Sequence, residues 1–204
     1  MFRRFTALLL LLLMTVAAPV AWAGGTLPGC IPGTAPADNP NLGWSTKGLS
    51  SDVAQFPVGL DMVEMLRQAG NGDKSKSYAQ GYWSSGAKIP VKRLLAPGTR
   101  LEKIVPAGSV PSAYTGYWAS VEVIDKEKAT PKLLADHFAL PPSSVAADYD
   151  IYEITAKSPV SVFRSPIAPA ENTTSCVIED GGAEQTLVLD RGKFAAPVKV
   201  GEIR

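Results

Sequence analysis

Side chains able to do chemistry are few in this 204-residue chain, and their types exclude more than they suggest. One histidine, His137, and two cysteines, Cys30 and Cys176, cannot assemble a histidine- or cysteine-based zinc site. No phosphate-cradling glycine loop occurs, and no serine is framed by glycines as a hydrolase nucleophile requires. His137, beside Phe138, reads as a structural or solvent-facing helix residue. What remains is a set of polar groups placed on apolar strands. Side chains alternate along a strand, so over residues 101–105 Lys103 shares a face with Leu101 and Val105, with Arg100 on the other. Over 185–189, Gln185 goes with Leu187 and Leu189, and Glu184 with Thr186 and Val188; a register slip of one would exchange them. Tyr117 and Trp118 point to opposite faces, and Ser120 shares that of Trp118. A polar group at the mouth of an apolar face suits a cleft. Each also has a plainer reading: a lysine snorkelling at a sheet edge, an amide closing a strand end, core aromatics.

The elements that must position these groups follow from punctuation and period. Seventeen prolines and eighteen glycines imply many turns and short strands. Residues 91–95, 101–105, 117–123, 149–155, 160–163 and 185–189 are β-branched or aromatic runs bounded by turn formers, and they predict strands. Leu60, Val63, Met65 and Leu66 lie near helical spacing, predicting a helix over 58–69 that Gly70-Asn71-Gly72 stops; a polar loop is expected over 73–77. Thr130-Pro131 reads as a helix start, with Leu133, Leu134 and Phe138 on one face and Leu140-Pro141-Pro142 as the stop. Gly81-Tyr82-Trp83-Ser84-Ser85 returns, with one change, as Gly116-Tyr117-Trp118-Ala119-Ser120, and both are read as aromatic strand starts. The fold class is α+β, a mainly antiparallel twisted sheet with a few short helices.

Residues 1–23 read as a cleavable signal peptide: Arg3 and Arg4, a leucine run, then Ala21-Trp22-Ala23. A lipoprotein reading of Leu27-Pro28-Gly29-Cys30 is the competitor. The expected organisation is a 1–23 leader, a 24–57 extended arm and a single 58–204 domain. The whole chain carries 20 basic and 19 acidic residues, and loss of the leader's two arginines leaves a net charge of −1, which argues against nucleic acid and a polybasic membrane dock. Two cysteines in an oxidising compartment make a Cys30–Cys176 disulfide the economical expectation, closing most of the mature chain into one loop. Asn172-Thr173-Thr174 is a glycosylation sequon.

In the C-terminal half the order of small motifs carries a resemblance. Pro97-Gly98-Thr99, Gly116-Tyr117-Trp118, Leu140-Pro141-Pro142-Ser143, Tyr149-Asp150-Ile151-Tyr152-Glu153-Ile154, Ile167-Ala168-Pro169, Gly181-Gly182-Ala183-Glu184-Gln185 and the closing Pro197-Val198-Lys199-Val200-Gly201-Glu202-Ile203 follow the order seen in tuberculosis-necrotizing-toxin-like domains. The stretch also resembles related C-terminal domains of polymorphic toxins, over about residues 90–204. The resemblance implies an ADP-ribosyltransferase-like fold and cleavage of the nicotinamide–ribose bond of NAD, with NAD as substrate and no resident cofactor or metal. It implies an immunity or target protein as partner. It places Gln185 at the active site, with Glu184 as the fallback, and Gly181-Gly182 where backbone can approach a ligand. Lys103 stands where the family has an arginine, with Arg100 nearby; lysine supplies the charge but not the bidentate fork. Such chemistry needs a cation on the pyrophosphate, an aromatic face on nicotinamide and an oxygen near the ribose as positive charge develops. Lys103, Tyr117 or Trp118, and Gln185 are the expected set, with Ser120 on ribose. A secreted binding module of the same fold, or a structural envelope protein, are the alternatives.

Overall fold

The computed structural model describes residues 25–204, so the leader expected over 1–23 lies outside the described residues. The fold is α+β. Its strands are β1 (Trp44–Thr46), β2 (Val91–Leu95), β3 (Arg100–Pro106), β4 (Tyr117–Ser120), β5 (Tyr149–Thr155), β6 (Val160–Pro166), β7 (Ala170–Asn172), β8 (Val177–Glu179), β9 (Glu184–Leu187) and β10 (Val198–Ile203). Its helices are α1 (Pro57–Leu66), α2 (Ser75–Ser84), α3 (Val121–Glu127) and α4 (Pro131–His137). Seven strands form one sheet in the order β10-β5-β3-β4-β9-β6-β2, and β1-β7-β8 form a second, small one. Every pairing is antiparallel.

Register decides where a site can sit. β3 is paired with β5 along its whole length, from Arg100↔Thr155 to Pro106↔Tyr149. Against β4 it pairs only at Leu101↔Ser120 and Glu102↔Ala119. Beyond Glu102 the two strands part: β3 stays with β5, while β4 stays with β9 through Tyr117↔Leu187 and Trp118↔Thr186. The large sheet is thus two blades joined at one end and open at the other. Gly116 helps to hold β4 to its own blade, since its carbonyl accepts the Val188 N–H at 2.8 Å.

One face of each blade is covered by its own helix pair. Under α1 and α2 lie Met62, Leu66, Trp83, Phe163 and Leu187, all buried. Under α3 and α4 lie Ile104, Ala119, Ile124, Leu134 and Ile151. The opposite face packs a third cluster that includes Leu101, Trp118, Ile154, Val162 and Val188. His137 Nδ1 meets Glu127 Oε2, tying α4 to α3.

Two local expectations are corrected. The polar loop expected over 73–77 begins α2, and Gly81–Ser85 is its C-terminal turn rather than a strand start. The reason is burial at Ser75, Ala79 and Trp83, four residues apart, which places one stripe against α1. The strand expected over 117–123 stops at Ser120, which takes the N-cap position of α3 in extended geometry. Valines 121 and 123 have strand propensity, but burial of Ile124 and Glu127 on one helical face overrides it. Gly181 (φ +66°) and Gly182 (φ +93°) form a turn in which Gly181 is buried and Gly182 is exposed, with nothing within 4 Å of where its Cβ would lie. Their N–H groups go to the carbonyls of Asp136 and Ile167, and a Cβ at Gly181 would meet the Ile167 and Ala168 carbonyl oxygens at 2.7 Å.

The arm is fixed to the small sheet. Cys30 and Cys176 form a disulfide, so the Cys30 sulfur is not available for a lipid. Around it Leu27 N–H donates to the Cys176 carbonyl at 3.0 Å, and Gly33 N–H to that of Thr174 at 2.7 Å. Asn172 of the sequon is buried, its Oδ1 accepting the Thr174 and Ser175 N–H groups. Among the described residues no helix is long and apolar enough to cross a membrane, and no cluster of three or more His, Cys, Asp or Glu could hold a metal ion.

Candidate functional site

A cavity of about 570 Å³ occupies the split between β3 and β4, a volume in the range of small-ligand pockets. Lys103 and Ile104 line it from one blade, and Tyr117 and Gln185 from the other. Ser84 and Ser85 from the end of α2 and Phe138 to Leu140 after α4 line it from the helical side, with Trp44 of β1 alongside.

Gln185 lies on the face that carries Leu187, opposite Ser165 of β6. It is buried at 4 % exposure. Its Nε2 donates to Ser85 Oγ at 3.0 Å and Ser165 Oγ at 3.2 Å. Ser85 Oγ directs its own proton at the Tyr82 carbonyl, 2.8 Å away, and reaches Gln185 Oε1 only at 3.4 Å. Both amide protons are therefore used, while Oε1 keeps acceptor capacity toward the cavity. Ser85 is itself fixed, because its carbonyl accepts the Ala168 N–H at 2.8 Å.

Tyr117 shares the Gln185 face, and its ring stands 5.0 Å from that of Tyr82 at 55°. Burial, then the neighbouring Tyr82, push its hydroxyl up to about 12, with Ser85 acting the other way. It stays a neutral donor at physiological pH. Gly116 has no Cβ because one would lie 2.3 Å from Tyr82 Oη. Trp118 points the other way: its ring belongs to the opposite core with Arg191 stacked 5.2 Å from its centroid, and its Nε1 donates to the Thr115 carbonyl.

Lys103 springs from the Leu101 face, opposite to that of Gln185. It meets the cavity because the sheet is split: Nζ donates to the Tyr117 carbonyl at 3.2 Å, across the opening between the blades. Half-buried, it loses part of its hydration to the surrounding protein, which lowers its pKa to about 8. The remaining expected residues do not join this set. Arg100 is exposed and pairs with Glu153 at 3.3 Å. Glu184 is exposed and meets Arg164 at 3.4 Å, and Ser120 lies on the Trp118 side at the start of α3.

Several lining groups carried no signal that the sequence reading used. Ser85 closes the Gly81–Ser85 copy of the recurring pentapeptide, which is the one clue to it. Glu102, 8 % exposed, lies at the closed end of the split, where burial and then Asp125 raise its pKa. Trp44 comes from the arm, and its indole N–H faces Glu179 of β8 without closing a hydrogen bond. Burial lifts that carboxyl to about 7, with Asp136 adding to the shift and Trp44 opposing it. The folded state therefore holds a proton that the unfolded chain gives up near pH 4.5, and this contribution to stability is present below about 4.5 and lost as pH rises through 7. Glu179→Gln should thus show a flatter melting-temperature profile between pH 5 and 8 than the wild type. Parallel profiles would remove Glu179 as the cause.

No family model matches the sequence, and no curated protein matches it. The structure is similar to Rhs1-CT in complex with its cognate immunity protein RhsI1, at 15 % identity and a TM-score of 0.41, covering 61 % of this chain and 95 % of that one. It is also similar to Tse6 in complex with Tsi6, at 20 % identity and a TM-score of 0.37, covering 67 % of this chain and 96 % of that one.

Proposed function

We propose that the cavity receives the nicotinamide riboside end of NAD and promotes cleavage of the nicotinamide–ribose bond, in a protein exported from the cytoplasm. The observation that carries this reading is the meeting of Lys103, Tyr117 and Gln185 in one cavity although the sheet register assigns them to different faces and blades. Breaking that bond leaves positive charge on the ribose. Gln185 Oε1, with its amide held by two serines, is a preorganised negative dipole that needs no reorganisation as the charge appears. Tyr117 supplies a flat face for the leaving nicotinamide, and Lys103 a charge for the phosphates. Export is supported by the Cys30–Cys176 disulfide. An immunity or target protein as partner rests on the motif resemblance alone. The test is to incubate the purified, oxidised mature protein with NAD and follow free nicotinamide; release well above buffer is expected. A folded protein that releases none would end the enzyme reading.

One observation favours a second reading, a binding module that holds NAD without cleaving it. Lys103 is the one cationic side chain lining the cavity among the described residues, and with a pKa of about 8 it is partly neutral at physiological pH. Saturable NAD binding without nicotinamide release would be its signature.

A further inference from the structure

Among the described residues Lys103 is the one lysine that lines the cavity. Lys47, Lys76 and Lys92 each hold a carboxylate at 2.8 to 2.9 Å. Lys103 has no such partner among the described residues; its hydrogen bond goes to the Tyr117 carbonyl. A carboxylate stabilises the ammonium and keeps the lone pair occupied, whereas a neutral carbonyl is served by one N–H of either form. The neutral amine can thus keep this bond and present its lone pair to the cavity. Desolvation favours that form, since it lowers the pKa to about 8. A lysine amine made neutral by an apolar site is the usual route to a nucleophilic lysine.

We propose that Lys103 is a carbonyl-reactive amine that captures aldehydes entering the cavity as imines, with neutral aldehydes on a flat apolar body as the preferred class. The lone pair of Nζ adds to the aldehyde carbon while the carbonyl π pair moves to oxygen, and a proton passes from nitrogen to that oxygen. Loss of water then gives the C=N bond. Amine and aldehyde become imine and water, with no oxidant or reductant. The class follows from the walls. Trp44, Tyr117, Ile124 and Phe138 are aromatic or aliphatic, so a flat apolar body is sheltered there. Lys103 is the lining cation, and forming a neutral imine consumes it, so an anionic aldehyde would lose its counter-charge on reacting. This capacity is separate from NAD chemistry and stands or falls without it.

The test compares lysines within one folded molecule and needs no variant. The oxidised mature protein is treated briefly with benzaldehyde and cyanoborohydride, which delivers hydride to the imine carbon, and the adducts are located by peptide mass mapping. Each adduct adds the mass of benzaldehyde less one oxygen. Lys103 is expected to be labelled about tenfold faster than exposed Lys88, because it lines the apolar cavity that shelters the aldehyde and Lys88 does not. The preference should vanish in urea. Glyoxylate, a small anionic aldehyde, should show little preference for Lys103. Labelling of Lys103 no faster than Lys88 would overturn the proposal, as would a preference that survives unfolding. Equal selectivity with glyoxylate would overturn the assigned class.

Discussion

Gln185→Ala is expected to lower nicotinamide release by about 10²-fold or more at saturating NAD, the usual loss when one preorganised dipole is removed from a charged transition state. The same substitution should cost about 1–3 kcal/mol of stability, because the buried hydroxyls of Ser85 and Ser165 each lose the amide they accept from. A loss of rate therefore needs a control for fold. Ser165→Ala removes one of the two hydrogen bonds to the amide and leaves Gln185 Oε1 in the cavity. It should destabilise by a similar amount and reduce the rate much less. Equal rate losses in the two variants would mean that Gln185 acts only by holding β9 to β6 and α2, and the chemistry would then have to be sought elsewhere.

The stability cost marks the boundary of what could be read from the sequence. Alternation along 185–189 places Gln185 with Leu187, and the structure has that register. Alternation cannot show that the next residues inward are serines from the end of α2 and from β6, 100 and 20 positions away in the chain, respectively. Lys103 makes the same point more sharply. Its face, shared with Leu101, is legible from period two, and taken alone it would separate Lys103 from Gln185 by the thickness of the sheet. They line one cavity because β3 and β4 pair at only two positions and then part, a property of pairing partners rather than of either strand. The strands read from β-branched runs at 91–95 and 149–155 are present: β5 lies largely buried between β10 and β3, whereas β2 is an edge strand exposed over 91–94 whose propensity is realised through its pairing with β6. The paired pentapeptides show where local pattern fails. Gly81–Ser85 ends a helix and Gly116–Ser120 leads into a strand, although four of five residues agree. What separates them is Ser75, Ala79 and Trp83, spaced by four, a stripe that extends six residues upstream of the motif itself.

The second large effect concerns the disulfide. Replacing Cys30 and Cys176 together by alanine should lower stability by about 2–4 kcal/mol, near the typical value and short of the roughly 5 kcal/mol that the chain-entropy model gives for so long a loop. The sequence separation of 146 means that the bond restricts most of the unfolded chain over the described residues. At this chain length the melting temperature should fall by roughly 5–15 °C. The native arm, however, has other attachments: the Leu27 and Gly33 hydrogen bonds, Ile178 N–H to the Gly25 carbonyl at 2.8 Å, and Asn41 bonded through both ends of its amide to Ser143. Those contacts keep β1, and with it Trp44, against the cavity. The variant is therefore expected to lose melting temperature while its KM for NAD at 25 °C stays within about twofold of the wild type, since a change felt in the unfolded ensemble leaves the site alone. A large rise in KM without the drop in melting temperature would reverse the assignment: the bond would then act on the folded arm and through Trp44 on the cavity wall. The distinction bears on export, because NAD lies mainly inside cells, where disulfides are reduced. A chain stabilised through its unfolded state survives that reduction with its cavity intact as long as its stability before reduction exceeds the few kcal/mol lost.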